Sequence, residues 1–424
     1  MTSSGPSFAT STSASATAPS RRFKVLGDGG FGCVVQEPPT CASGMTRHRR
    51  WDEDSPPPKL VAKLFYPYGD ALRLDAIIDE EIAASEAIPA YSGYDDFTVP
   101  LYASCVPDEA ERVEADDLCR RYAREHGGTV RSLSGARQLM YGFGGIDGLD
   151  FLNSCSENPV RCFHFIQGLV YAVNGLTRMQ SDDAYKYKIH GDLKPENMVV
   201  DYDKVDGVQV AHVRLIDWGR GDAILAAFVN DRINLMELWG AAYMPGDAIA
   251  AYCASRDVHS VNSTASLFHS DQVQLIIRRR YSEFLNTMLM DGAPREAIEK
   301  EFRHRIKRIS TMYDRYRHAF RSLYIPGISQ EQFYRECAKS FATDCKIDVF
   351  GLGIVLLQWM YTTTNVLLDW PTKTDDFYVT LRAVQRIVIV YMQKMLAADC
   401  DARPALTDLR PMFEAVGDKM KKKE

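Results

Sequence analysis

The ten cysteines of this 424-residue chain are scattered singly, with no C-x-x-C pair. The nine histidines do not cluster, and no H-E-x-x-H occurs. These absences argue against a zinc site and a disulfide scaffold. They predict isolated buried thiols in a reducing, cytoplasmic compartment. A long apolar run is also missing. The longest, 350–360, is broken only by Gln358 and falls short of the roughly 20 residues a membrane-spanning helix needs. No membrane association is expected. Neither sign of charge dominates: 50 basic against 56 acidic side chains leave −6. That argues against nucleic acid as a general partner, though not against a local basic patch. Charged residues at 25% and hydrophobic ones at 46% exclude a mostly disordered or collagen-like chain.

Residues 1–20 contain no acid and are almost all Ser, Thr, Ala, Gly and Pro. They read as a disordered tail; an organelle transit peptide shares that composition. Residues 414–424 read as a basic tail. Between the tails, strands are expected at 23–26, 33–36, 60–65, 97–105, 137–143, 198–201 and 208–216. The proline-marked stretch 37–58 reads as an extended loop. Helices are expected at 75–88, 108–125 and 162–176, the last from apolar residues at helical spacing. Beyond Asp217 the pattern is helical. Strands first and helices later predict an α+β fold in two parts.

Three stretches carry chemistry. Gly27-Asp28-Gly29-Gly30-Phe31-Gly32-Cys33-Val34 fits G-x-G-x-x-G-x-V and is followed by a strand, so a glycine hairpin cradling phosphate is expected. A tight hairpin also uses glycines. Lys63 ends a predicted strand, and Glu81, 18 positions on, lies in a predicted helix with Glu80 and Glu86. His190-Gly191-Asp192-Leu193-Lys194-Pro195-Glu196-Asn197 is the most specific stretch. It sets a carboxylate, a cation and an amide on one loop. Leu215-Ile216-Asp217-Trp218-Gly219 adds a carboxylate at a strand end. Two oxygen donors, Asn197 and Asp217, suit Mg²⁺.

In order and spacing these elements resemble the eukaryotic-type protein kinases, over about residues 21–413. The resemblance implies a bilobal kinase-like fold. Its small β-rich N-lobe would span about 21–143, and its larger helical C-lobe about 146–413, with a helical insertion at about 248–343. It implies that ATP lies against Leu26, Gly27, Gly29, Gly30, Gly32, Val34, Lys63, Glu81 and the gatekeeper Tyr141 (Met140 in a shifted register), before a hinge at 142–145. Asp192 would be the catalytic base and Lys194 would assist transfer, with Asn197 and Asp217 on Mg²⁺. Lys194-Pro195 is the Ser/Thr-type arrangement, so the implied substrate is a protein hydroxyl. Asp348 in 348–353 resembles the buried helix anchoring the larger lobe, and Arg403 the family's late arginine.

The sequence also departs from that pattern. Gly191 stands where the family has an arginine that grips an activation-loop phosphate, so switching by that route is not expected. Trp218 replaces a phenylalanine, Val61 takes a common alanine position, and no clear A-P-E occurs. Residues 243–247, with Asp247 as partner for Arg403, are preferred over 324–327 for that role. The layout also resembles kinases of large DNA viruses, which would place the protein in a host cell or virion. Two other readings remain open: a small-molecule phosphotransferase of the aminoglycoside or choline kinase kind, and a pseudokinase binding module. Within the insertion, apolar stripes at 277–288 and 298–320 predict two antiparallel helices. Residues 271–321 carry twelve basic against seven acidic side chains, read as a solvated face or as a basic surface for an acidic partner.

Overall fold

The computed structural model describes residues 23–29, 32–49, 59–67, 71–88, 96–181, 189–205, 208–218, 246–260, 267–271, 273–275, 277–278, 295–344, 346–397 and 400–421. Expectations for the N-terminal tail, Gly30, residues 219–245, Arg279, Arg280 and most of the first insertion stripe lie outside these residues.

The fold is α+β. An antiparallel six-stranded sheet, in the order β1-β2-β4-β6-β5-β3, occupies the N-terminal part. Its strands are β1 (Lys24–Asp28), β2 (Gly32–Gln36), β3 (Cys41–Arg47), β4 (Leu60–Phe65), β5 (Leu101–Pro107) and β6 (Gln138–Gly142). Alternation along β4 decides what each face meets. Phe65 packs with Leu101 and Leu139 against Leu74, Ile78 and Ile82 of α1 (Ala71–Ala87). Ala62 and Leu64 pack with Cys33 and Val35 against Ala115 and Cys119 of α2 (Glu109–Glu125). The Asp108 side chain caps α2 by accepting from Ala110 N and Glu111 N at 3.0 and 3.1 Å.

The chain leaves β6 and enters a small sheet of β7 (Ile146–Asp147), β8 (Met198–Val205) and β9 (Val208–Leu215). The remainder is helical: α3 (Gly148–Asn153), α4 (Arg161–Ser181), α5 (Gly246–His259), α6 (Arg295–Leu323), α7 (Gln330–Asp344), α8 (Ile347–Leu368), α9 (Asp376–Met395) and α10 (Arg410–Lys421). The largest core joins α4, α8, α9 and α10. Its central Trp359 is fully buried and donates its indole N–H to Cys162 O at 2.7 Å. A second core joins α5, α6 and α7 through Ile309, Tyr313, Tyr316 and Phe320, one stripe of α6, and reaches Ile189, Ile347 and Cys400. Among the described residues α8 alone is long and apolar enough to cross a membrane, and half of its apolar window is buried in the fold.

Three sequence expectations need correction. The stretch 37–58 is not all loop, because β3 pairs with β5 along an irregular ladder. β3 is mostly exposed, so it lacks the apolar alternation that marks a half-buried strand. The strand expected at 97–105 runs Leu101–Pro107 instead. Thr98 makes a separate parallel bridge to Leu215 and so ties the first sheet region to the second. Not all cysteines are isolated thiols. Cys33 is bonded to Cys119, and Cys41 to Cys105. The first bond joins the glycine hairpin to α2, and the second fastens edge strand β3. Cys155, Cys162, Cys253, Cys337 and Cys400 are buried and not disulfide-bonded.

The Cys33–Cys119 bond links residues 86 apart in sequence. Replacing both by Ser is expected to lower stability by about 2–4 kcal/mol, because the unfolded chain regains the entropy of the open loop. Calorimetry checks this: the melting temperature should fall in the variant, and by at least as much in the parent under reductant, which opens Cys41–Cys105 as well. A parent melt indifferent to reductant would show that the bond contributes nothing.

Candidate active site

Lys63 is on the face of β4 that looks toward α1, and this is why it meets Glu81. Its Nζ donates to Glu81 Oε1 and Oε2 at 2.8 and 2.7 Å and to Asp217 Oδ1 at 3.2 Å. Burial works against the ammonium, but the Asp217 and Glu81 carboxylates overcome it and hold the Lys63 pKa above the ordinary lysine range. Burial pushes the Glu81 carboxyl up, opposed by Lys63. The charge of Lys63 holds the Asp217 carboxyl below its usual range. Of the three helix glutamates, only Glu81 receives this lysine; Glu86 Oε1 accepts from His48 Nδ1 at 2.7 Å instead. Tyr141 lies opposite Val61 in the β4–β6 ladder and donates its hydroxyl to Glu81 Oε1 at 2.8 Å. Met140 is on the other face with Ala103 and Cys105.

The glycine hairpin is β1 and β2, with Gly29 N donating to Gly32 O at 2.9 Å. Gly27 pairs with Val34, and a bulge at Leu26 breaks the register. A Cβ on Gly32 would stand 2.2 Å from Leu64 O, so only glycine allows β2 this close to β4. A Cβ on Gly27 would meet nothing within 4 Å, so that glycine is not demanded by packing. The hairpin base is held by the Tyr66 hydroxyl, which donates to Asp28 Oδ1 at 2.5 Å. The sequence carries no signal for that contact.

The loop before β8 is shaped from below by α8. Asp348 is buried, and its two oxygens accept from His190 N and Gly191 N, both at 2.9 Å. Burial pushes the Asp348 carboxyl up against these donors. Gly191 has φ +80°, a left-handed conformation that explains glycine at this position. His190 Nδ1 accepts from Asp192 N at 3.3 Å, so Nε2 carries the hydrogen donated to Ile216 O at 3.0 Å. Pro195 starts a 3-10 turn, Pro195–Asn197, that turns Asn197 back on the loop. Asn197 Nδ2 donates to Asp192 O and Oδ2 at 2.8 and 2.9 Å. Lys194 Nζ lies 3.4 Å from Asp192 Oδ2.

Ile216 N donates to Asn197 O at 3.0 Å and so sets the loop beside Asp217. Asp217 has φ +65°, a strained conformation for a residue with a Cβ. Next to it, Trp218 is buried and donates Nε1–H to Thr98 Oγ1 at 2.8 Å. Thr98 in turn donates to Leu215 O at 3.0 Å. The indole therefore ties the Asp217 turn to the sheet region above, a contact a phenylalanine could not make. Thr98 was not legible as a site residue, since its partner is 120 positions away.

The donor set fits a hard cation. Both Asn197 amide hydrogens point to Asp192, which leaves Oδ1 as its remaining donor atom, and Asp217 supplies a carboxylate. Among the described residues no group of three or more His, Cys, Asp or Glu could hold a metal, so a magnesium ion here would rest on an amide, a carboxylate and substrate oxygens. Arg403 is buried, donates Nε–H to Ala397 O at 2.9 Å and places its guanidinium 5.2 Å from the Phe350 ring centre. The Asp247 side chain, its expected partner, lies outside the described residues. The alternative segment, 324–327, is an exposed turn.

Asp147, where the chain enters the second sheet, was also not foreseen. It caps α3 by accepting from Leu149 N and Asp150 N at 2.8 and 3.1 Å. Burial raises its pKa from 3.8 to about 6, with Asp150 and Glu196 adding to the rise. The folded state thus keeps this proton longer than the unfolded one. Its stabilising effect is complete below about pH 3.8 and is lost as pH rises through about 6. Asp147→Asn keeps an acceptor for the cap and removes the titration. Melting temperature against pH should be flatter across that window than in the parent; identical curves would contradict this.

The chain matches no protein-family model and no curated protein.

Proposed function

We propose that the protein is an ATP-dependent protein serine/threonine kinase with a bilobal kinase-like fold. The observation that supports it most is the convergence of Lys63, Glu81 and Asp217 from three separate elements, next to a loop carrying Asp192, Lys194 and Asn197. In this reading the glycine hairpin and Lys63 hold the nucleotide phosphates. Asn197 and Asp217 hold Mg²⁺, which supplies charge neutralisation when bound. Asp192 orients the substrate hydroxyl and takes its proton. The hydroxyl oxygen bonds to the γ-phosphorus as the β–γ bridging bond breaks, and ADP leaves. Lys194, beside Asp192, offsets charge on the moving phosphoryl group. Asp348 and His190 act through the loop backbone and hold Asp192 in place.

A cytoplasmic setting is not part of the proposal. It rested on unpaired thiols, and disulfides persist best where thiols are oxidised. The experiment is transfer of label from γ-labelled ATP to a panel of generic proteins, aminoglycosides and amino alcohols. Phosphoserine or phosphothreonine in protein supports the reading. Label only in small molecules would move it to a small-molecule phosphotransferase. Nucleotide binding without any transfer would make it a pseudokinase.

A further inference from the structure

α6 has two unlike faces. Ile309, Tyr313, Tyr316 and Phe320 are buried in the second core. Positions 303, 307, 310 and 314, spaced by four, three and four residues, line the other side. They border a cavity of about 540 Å³, completed by Ile306, Thr311 and Arg278. Arg278 comes from a different segment and follows Ile277, which is buried in the same core, so its backbone is anchored. Three cations, Arg278, Arg303 and Lys307, thus face one carboxylate, Asp314. Two other cations of α6 have contacts of their own: Arg315 pairs with Asp401, and Arg308 donates to His304 Nε2 at 3.1 Å. Among the described residues, no carboxylate lies within ion-pair distance of Arg278, Arg303 or Lys307.

We propose that this groove binds a phosphoserine- or phosphothreonine-bearing segment of a partner protein. Charge and shape both favour this ligand. A phosphate monoester carries about −1.5 to −2 near neutral pH. Three cations less one carboxylate match that, whereas a single carboxylate ligand would leave the groove in excess. Guanidinium forks from two sides suit phosphate oxygens better than a point charge does. Ser310 adds a hydroxyl, whereas the Thr311 hydroxyl hydrogen is already donated to Lys307 O at 3.1 Å. Ile306 gives an apolar wall for the flanking residue. Asp314 closes one end against a continuous polyanion, which sets the groove apart from a nucleic-acid track. The source of such phosphate rests on the kinase reading above, but the binding does not.

The test is fluorescence anisotropy with the full chain and a short labelled peptide carrying one phosphoserine. Its unphosphorylated form and a single-stranded oligonucleotide serve as comparisons. The phosphopeptide should bind at least about tenfold tighter than the unphosphorylated peptide. Arg303→Gln with Lys307→Gln should weaken it by about tenfold or more, and Arg335→Gln on α7 should not. Asp314→Asn should tighten it a few-fold, and added salt should weaken it. If the double variant melts early, Arg278→Gln and the salt series carry the same test. Asp192→Asn should bind as the parent does, so loss of transfer and loss of docking remain separable. Equal affinity for both peptides, or unchanged binding in the groove variants, would overturn the proposal. Tighter oligonucleotide binding lost in the same variants would reassign the groove to nucleic acid.

Discussion

Asp192→Asn is expected to lower kcat by about three orders of magnitude, with nucleotide affinity within a few-fold of the parent. The expectation follows from how Asp192 is held. One oxygen already accepts from Asn197 Nδ2 and lies near Lys194. An asparagine there keeps the size and some of these contacts but cannot take a proton. The groups on β1, β2 and β4 proposed to hold nucleotide are untouched. Single-turnover kinetics beside equilibrium ATP binding separate the two effects. Near-normal turnover in the variant would show that another group accepts the hydroxyl proton. A joint loss of binding and turnover would show that Asp192 is a structural support for the loop.

The second large effect is expected at Lys63. Its side chain is 15% exposed and that of Glu81 8%, so the pair is almost out of water. Lys63→Met leaves Glu81 and Asp217 without their shared cation. Breaking one side of such a pair typically costs about 3 kcal/mol or more, because the remaining charge is buried uncompensated. Nucleotide binding should fall sharply with it. The pH dependence has a definite sign. Glu81 titrates above its ordinary 4.5 even with the lysine present, and higher still without it. The folded variant therefore holds a proton that the unfolded chain releases. Its stability is greatest at low pH and is lost as pH rises through the folded pKa. Relative to the parent, its melting temperature should recover as pH falls through the raised folded pKa of Glu81. Lys63→Met with Glu81→Leu should regain much of the loss at neutral pH, since both partners are then apolar. If Lys63→Met alters neither melting nor nucleotide affinity, the ion pair is incidental to both.

These two expectations draw on residues that short-range pattern brought to notice. Asp192, Lys194 and Asn197 sit within one loop, and Asp217 ends a recognisable strand. Lys63 falls on a strand read with its observed ends, and Glu81 on a helix read correctly in type but with a displaced start: α1 begins at Ala71 rather than 75. Helix ends shift easily because the first turn makes few internal bonds. The choice of Glu81 over Glu80 and Glu86 came from the resemblance and not from local pattern. It depends on which helix face meets the inward side of β4, and that is a property of packing.

Sequence alone determined what acts over a few residues. Alternation produced the strands, helical spacing produced α4 and α6, and the glycines and the loop before β8 declared themselves by local composition. Tertiary structure decided the rest, because the contacts join positions far apart with no mark of their own. Cys33 meets Cys119 and Cys41 meets Cys105 across 86 and 64 residues. Trp218 finds Thr98 across 120, and Asp348 reaches His190 N across 158. An exposed edge strand such as β3 buries too little to write a pattern, and the groove on α6 exists only where Arg278 arrives from another segment. Local preferences are set by neighbouring side chains and backbone sterics, whereas long-range pairing is chosen only when the whole core closes.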